Sequence, residues 1–375
     1  MCFSKLFNYI RYFCFFILVA YWSPTVASTT IRLGVSNAQS GHSSQLGIDL
    51  NLGAEIYFDA INQQGGINGQ KIELVKMDDG YEPLNTVNNT KKLLKQNVLA
   101  LFNYVGTPTT KAILPLLNQD NSLFITPFTG ADFLRDSLQT NIFNIRASYE
   151  QEAQAQVKYL VNKAAVKSFA IVIQADAFGL ALEKYYHSAL NVYGLKAEKT
   201  LRYRRNTLDI LHVATYLKES AVEAIFFVGT YAPFAELIKV NAENNYTPIY
   251  SGVSFVSSYS LYSELKNRQS QHSRVLITEV VPNPLNCQSD ICHQFREAAN
   301  KHSIRSPNQV HFEGYLNAKF VTDAIKKCST PVVKSCLSNE MRKLQVDYIG
   351  KNINPMSQAS EQAIKQVFYT TFNIQ

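Results

Sequence analysis

The sequence predicts an α/β protein built as two doubly wound parallel-sheet lobes joined by a hinge, and three observations predict it. A strand, a helix, a glycine turn and a second strand follow one another across residues 31–77. The same alternation restarts near Tyr149 and fills the second half. A chain of 375 residues also exceeds what one compact core usually supports, so two units are expected.

Each element has its own reason. Residues 31–36 are an apolar strand, and Leu50, Ala54, Tyr57 and Ile61 then recur at helical spacing, giving a face that packs on a sheet. Gly65, Gly66 and Gly69 supply backbone angles that a Cβ resists, and residues 72–77 are the next strand. Parallel strands joined by a helix imply a sheet covered on both faces. Leu84, Val87, Leu94 and Val98 mark a second helix face; residues 98–103 and 122–127 read as strands, with Ile113, Leu116 and Leu117 on a helix between them. A helix over about 149–163 opens the second half, followed by a strand at 168–174, a helix carrying Leu182, Tyr186 and Leu190, and a strand at 195–203. Asn206 and Thr207 read as caps of a further helix, which feeds the fully apolar strand 224–229. Residues 275–284 read as a return crossing, the helix 312–328 packs back on the first lobe, and the tail near 346–352 crosses once more.

Residues 1–27 read as a signal peptide. Lys5 and Arg11 precede an apolar stretch at 12–20, and Thr25-Val26-Ala27 places small residues where a signal peptidase cuts, so cleavage is expected after Ala27. The competing reading, a retained anchor, needs about 20 apolar residues, more than this stretch has. Loss of Lys5 and Arg11 lowers the formal charge from +7 to +5, mild and dispersed, so no nucleic-acid partner is expected. Arg202, Arg204 and Arg205 form the one basic cluster, read first as a solvated strand edge and second as an anion contact. Cys287, Cys292, Cys328 and Cys336 survive processing with spacings that match no zinc or redox motif. In an oxidising compartment, pairing Cys287 with Cys292 and Cys328 with Cys336 is the simplest of the three connectivities; free thiols are the alternative.

The run Asn62-Gln63-Gln64-Gly65-Gly66-Ile67-Asn68-Gly69-Gln70, followed by a strand ending in Asp78-Asp79, resembles the leucine/isoleucine/valine-binding group of periplasmic binding proteins. The resemblance covers nearly all of the mature chain. Gly106-Thr107-Pro108-Thr109-Thr110, the run from Asn144 to Tyr149, Arg205-Asn206-Thr207 and Phe312-Glu313-Gly314-Tyr315 mark a distinct subgroup. It implies the type I periplasmic binding fold with three crossings, lobe 1 at 28–147 plus 283–342 and lobe 2 at 148–282 plus 343–375. It further implies a monomer without cofactor that captures a small carboxylated ligand between the lobes and delivers it to an ABC transporter permease in the inner membrane.

Two such lobes bind ligands in the cleft where the carboxyl ends of both sets of strands converge. In the loop from Val105 to Thr110, a glycine opens a helix whose free N–H groups favour an anion, and Thr107, Thr109 and Thr110 can add donors: a carboxylate cradle, or else a plain threonine cap. Thr126-Pro127-Phe128-Thr129-Gly130-Ala131 resembles the family loop in which a backbone N–H and a threonine hydroxyl hold the ligand's carboxylate. Thr129 and Gly130 fall at or beside those positions, and Phe128 replaces a small residue. By the same resemblance Phe178 covers the ligand and Tyr231 follows the glycine of the next loop. Ser254, or a neighbour, stands where a glutamate usually pairs with the ligand's ammonium. Burying an ammonium without a partner costs several kcal/mol. Asp176 is either the substitute partner or a loop cap, and an aromatic or branched apolar carboxylate fits Phe128, Phe178, Tyr231 and Phe255 as well as an amino acid does. Arg146, at the first crossing, reads as a hinge or interlobe ion-pair residue, with ligand contact second.

Enzyme activity is not expected. Residues 252–256 lack the second glycine of a nucleophile elbow, the histidines are scattered without zinc-ligand spacing, and no phosphate loop or dinucleotide fingerprint occurs. Asp78 and Asp79 can bind a cation, but such acids more often cap the next segment. The leading reading is therefore a periplasmic solute-binding component of an ABC importer that takes a branched-chain or aromatic amino acid or a related organic acid. A sensory receptor signalling to a membrane kinase or cyclase needs the same lobes and stands as the alternative.

Overall fold

The computed structural model describes residues 30–135, 140–267, 273–344, 348–349 and 366–374. The expected signal peptide and most of the expected crossing at 346–352 lie outside the described residues. The first sheet and its helices run β1 (Ile31–Asn37), α1 (Ser44–Gln63), β2 (Ile72–Asp78), α2 (Pro83–Lys95), β3 (Ala100–Phe102), α3 (Thr107–Asp120), β4 (Phe124–Ile125) and β5 (Ile142–Phe143). The second set runs α4 (Tyr149–Asn162), β6 (Phe169–Gln174), α5 (Ala177–Asn191), β7 (Ala197–Tyr203), α6 (Leu211–Ser220), β8 (Ala224–Val228), α7 (Tyr231–Glu243), β9 (Ile249–Gly252), α8 (Ser258–Asn267) and β10 (Ser273–Glu279). The chain ends with α9 (Asp290–Lys301), α10 (Gln309–Ile325), α11 (Lys334–Lys343) and β11 (Phe368–Ile374).

Two α/β lobes result. The first sheet has the order β2-β1-β3-β4-β5, all parallel, and the second has β11-β10-β9-β8-β6-β7, parallel except for the antiparallel pair β10–β11. Leaving out β11, the second order read backwards repeats the first, with one strand pairing to both its successors before the sheet grows in one direction. Buried strands such as β6 and β8, covered along their whole length, explain the uninterrupted apolar runs.

The glycine turn after α1 is held by Asn62. Its amide donates to the Ile72 carbonyl at 2.8 Å and its carbonyl accepts from the Ile72 N–H at 2.8 Å, so the asparagine pins the start of β2 to the end of α1. Helix α10 returns to the first lobe and lies against α1. A Cβ on Gly53 would stand 1.8 Å from the His311 carbonyl oxygen, and one on Gly314 2.1 Å from that of Leu50, so both helices need a glycine at the contact. Cys287 is bonded to Cys292 and Cys328 to Cys336.

Three expectations need correction. Residues 273–279 are a full strand of the second sheet, paired with β9, and the crossing follows it. The sequence reading missed β11, whose partner β10 lies nearly a hundred residues upstream. Helix α6 begins at Leu211, not at Asn206 or Thr207: Asn206 takes φ of +55° and turns its side chain to the other lobe, so it caps nothing in its own.

Candidate functional site

The strand ends of both sheets meet in one buried region. The apolar core of the second lobe continues without a break into Ala38, Leu46, Tyr81, Val105 and Phe128 of the first. Its centre is aromatic. Phe255 lies 5.8 Å from Tyr81, 5.7 Å from Phe128 and 4.8 Å from Phe178, and Phe178 lies 5.2 Å from Tyr149. Tyr81 and Phe128 follow β2 and β4, whereas Phe178 and Phe255 follow β6 and β9, so the rings join the two lobes directly. Tilted pairs at such distances add about 0.5–1.5 kcal/mol each beyond area burial.

Three hydroxyls lie among these rings. Thr107 Oγ1 and Thr129 Oγ1 share a hydrogen bond of 2.8 Å, Thr129 Oγ1 donates to the Tyr149 hydroxyl at 3.1 Å, and Thr107 Oγ1 stands 3.3 Å from that hydroxyl. All three residues are fully buried. Tyr149 is placed by the capping box at the start of α4, where Ser148 Oγ accepts from Gln151 N–H and the Gln151 side chain accepts from Ser148 N–H. Gly130 lies against it, since a Cβ there would meet the Tyr149 nitrogen at 2.6 Å. Thr107, Thr129, Gly130 and Phe178 are thus brought together around one tyrosine that sequence reasoning had quoted only as part of a subgroup pattern.

The other sequence-predicted residues lie elsewhere around the region. Thr109 Oγ1 donates to the carbonyls of Val105 at 2.6 Å and Gly106 at 2.9 Å, closing the first turn of α3 on itself. Gly106 has φ of +110° and leaves space that Tyr81 fills; a Cβ would meet its ring at 2.3 Å. The Tyr231 hydroxyl, at the start of α7, accepts from Gln45 N–H at the start of α1 at 3.3 Å, bridging the lobes apart from the aromatic centre. Asp176 caps α5 by accepting from Phe178 N–H at 2.9 Å and Gly179 N–H at 3.4 Å, while Gln174 Nε2 donates to it at 2.6 Å and to the Tyr81 hydroxyl at 3.2 Å.

Ser254 opens onto a buried ionic cluster at the hinge. Glu152 accepts from Ser254 N–H at 2.7 Å, Ser254 Oγ at 2.9 Å and Thr278 Oγ1 at 2.8 Å; Arg146 Nη2 also donates to Ser254 Oγ. Arg146 Nη1 is 3.4 Å from Glu313 Oε1, and its guanidinium lies over the Phe128 ring at 4.2 Å. Glu279 completes the cluster. Burial raises the Glu279 carboxyl to about 8 and the Glu313 carboxyl to about 7, Arg146 opposing the shift in both, and Glu152 is raised by burial too. The acid absent from residues 252–255 is therefore supplied from α4, one turn after Tyr149, a placement no local pattern announces.

At the mouth of the cleft, the basic cluster serves as a clamp. Arg205 Nη2 pairs with Glu82 at 2.7 Å, Arg205 Nη1 donates to the Tyr81 carbonyl at 3.0 Å, and Asn206 donates to Glu82 Oε1 at 2.6 Å. Beside it lies a groove of about 590 Å³ lined by both lobes, including Pro83, Pro108, Asp176, Arg204 and His212. Among the described residues no group of His, Cys, Asp and Glu is arranged to hold a metal ion, and no helix is long and apolar enough to cross a membrane.

This geometry has known relatives. The family model described as "Periplasmic binding protein" matches residues 30–373. An "Amino acid binding protein" of Pseudomonas aeruginosa is 25% identical over 224 residues, covering 60% of each chain. A "Leu/Ile/Val-binding protein homolog 3" of Brucella melitensis is 25% identical over 209 residues, covering 56% of each. The chain thus matches only about 60% of the length of these curated relatives. A crystal structure from Rhodopirellula baltica, described as a "possible leucine/isoleucine/valine-binding protein", superposes with a TM-score of 0.85 at 27% identity, covering 94% of this chain and 98% of that one. These relatives are described as binding proteins, not enzymes. The chain belongs to the periplasmic binding protein family, as a type I member of the leucine/isoleucine/valine-binding group.

Proposed function

We propose that this protein is the periplasmic substrate-binding component of an ABC importer. It captures a small carboxylated solute, a branched-chain or aromatic amino acid or a related organic acid, by closing lobe 1 (28–147 plus 283–342) over lobe 2 (148–282 plus 343–375). The protein is exported by a signal peptide cleaved after Ala27, acts as a monomer and hands its ligand to a permease in the inner membrane. One observation carries this reading: the rings of Tyr81, Phe128, Phe178 and Phe255 come from strand-end loops of both lobes and meet around the hydroxyls of Thr107, Thr129 and Tyr149. Opening at the hinge parts these rings and offers an apolar bed with hydroxyl donors. A ligand that touches both lobes stabilises the closed state through its additional contacts.

The test is a thermal-shift screen of residues 28–375 against amino acids, aromatic acids and short-chain carboxylates, followed by small-angle scattering with and without each hit. A hit raises the melting temperature in a concentration-dependent way and increases the closed fraction. A screen without hits, or a hit that leaves the closed fraction unchanged, would refute capture by closure.

A further inference from the structure

We infer that the cleft selects carboxylates that carry no ammonium group. The inference rests on the cleft assignment above and narrows its ligand class.

An ammonium buried between the lobes needs a carboxylate to receive it, because desolvation of an unpaired charge is not recovered. Each buried acid that the cleft loops and adjoining helices supply is already engaged. Asp49 accepts from Gln45 Nε2 at 2.5 Å and from Asn308 Nδ2 at 2.7 Å, with His311 Nε2 3.4 Å away. Asp79 accepts from Tyr81 N–H, Ser36 Oγ and Thr86 Oγ1 at 2.9, 2.9 and 3.0 Å. Glu152 is held by Ser254 and Thr278, and Asp176 by its helix cap, by Gln174 and by Arg205 Nε at 3.8 Å. Glu264, near the Tyr231 hydroxyl, has a partner as well.

The two remaining acids stand at the hinge in company with Arg146, the cation laid over the Phe128 ring. Arg146 is 3% exposed, and its Nε and Nη1 have no hydrogen-bond acceptor. The open donors nearest the aromatic centre therefore belong to a positive group, which attracts an anion and repels an ammonium. The hydroxyls of Thr107, Thr129 and Tyr149 add neutral donors, and the rings accept an apolar body of either branched or aromatic shape. A carboxylate tail fits this field, and an α-ammonium has nowhere to go.

Matched ligands that differ only in the ammonium test this on the unmodified mature protein: 4-methylpentanoate against L-leucine, and 3-phenylpropanoate against L-phenylalanine, by isothermal titration calorimetry. The expected result is that at least one deaminated acid binds about 100-fold or more tightly than its amino-acid partner. Tighter binding of L-leucine or L-phenylalanine than of the matched acid overturns the inference while leaving capture by closure intact. Equal affinities within a pair overturn it too, since the cleft would then be indifferent to the charge. If none of the four binds, the inference falls, and the capture reading is then decided by the wider screen.

Discussion

At the cleft, Tyr81 and Phe128 of one lobe meet Phe178 and Phe255 of the other ring to ring, and the polar atoms among them are hydroxyls that satisfy one another. A short way off at the hinge, an equally buried meeting of the lobes is made from charge. Arg146 stands with Glu152, Glu279 and Glu313, one cation against three carboxyls. Aromatic contact between lobes is recovered whenever they close and depends little on pH. A buried surplus of carboxyls is tolerable only if protons are taken up, so the hinge ties the fold to pH while the cleft stays free to recognise a solute.

Removing the one cation that faces the hinge acids breaks this contrast most severely. Arg146→Met is expected to lower stability by about 3–5 kcal/mol at pH 7.5, because it leaves buried acids uncompensated. A denaturant titration measures it, and a loss below about 1 kcal/mol would mean that the cluster carries little charge. The pH dependence is next in size. Glu279 and Glu313 have folded-state values raised to about 8 and about 7, above the ordinary carboxylate range, so the folded state holds protons that the unfolded chain releases. That stabilisation is complete below the ordinary carboxylate value and is lost as pH rises through the folded values. The melting temperature is therefore expected to fall between pH 5 and pH 8.5, by an amount on the order of a few kcal/mol in stability. Glu279→Gln should flatten that fall; an unchanged slope would assign the pH dependence elsewhere.

The smallest effect belongs to the mouth. Arg205→Ala removes the pair with Glu82 and the bond to the Tyr81 carbonyl, both partly exposed to solvent, so its effect on stability is expected to stay near 1 kcal/mol or less. Its visible consequence is a larger open fraction in small-angle scattering of the free protein. If scattering is unchanged, the aromatic contact alone keeps the lobes together.

Much of the architecture was legible because its signals are local. Leu50, Ala54 and Tyr57 on one face of α1, the Asn62 and glycine turn, and the apolar runs of β6 and β8 each report a period or a backbone angle within a few residues. Pairings across long separations were not legible. β11 joins β10 from far along the chain and shows little of the apolar character of a central strand. At the site, Thr107, Thr129 and Phe178 were found because strand-end loops can be located from the strand pattern. Tyr149, Tyr81 and Glu152 were passed over: each looks locally like a cap or a helix residue, and only the opposite lobe gives it a partner.

Local period, turn chemistry and motif determined from sequence alone that the chain makes two α/β lobes of one family, since those properties act within about a helix or a strand length. The tertiary structure alone decided which hydroxyls bond to each other, that Glu152 lies beneath Ser254, that Arg205 and Asn206 reach across to Glu82, and that Arg146 faces three acids. Those contacts join residues about 20 to 170 positions apart, and their chemistry depends on burial and on the charge of the partner, quantities that exist only once the lobes have come together.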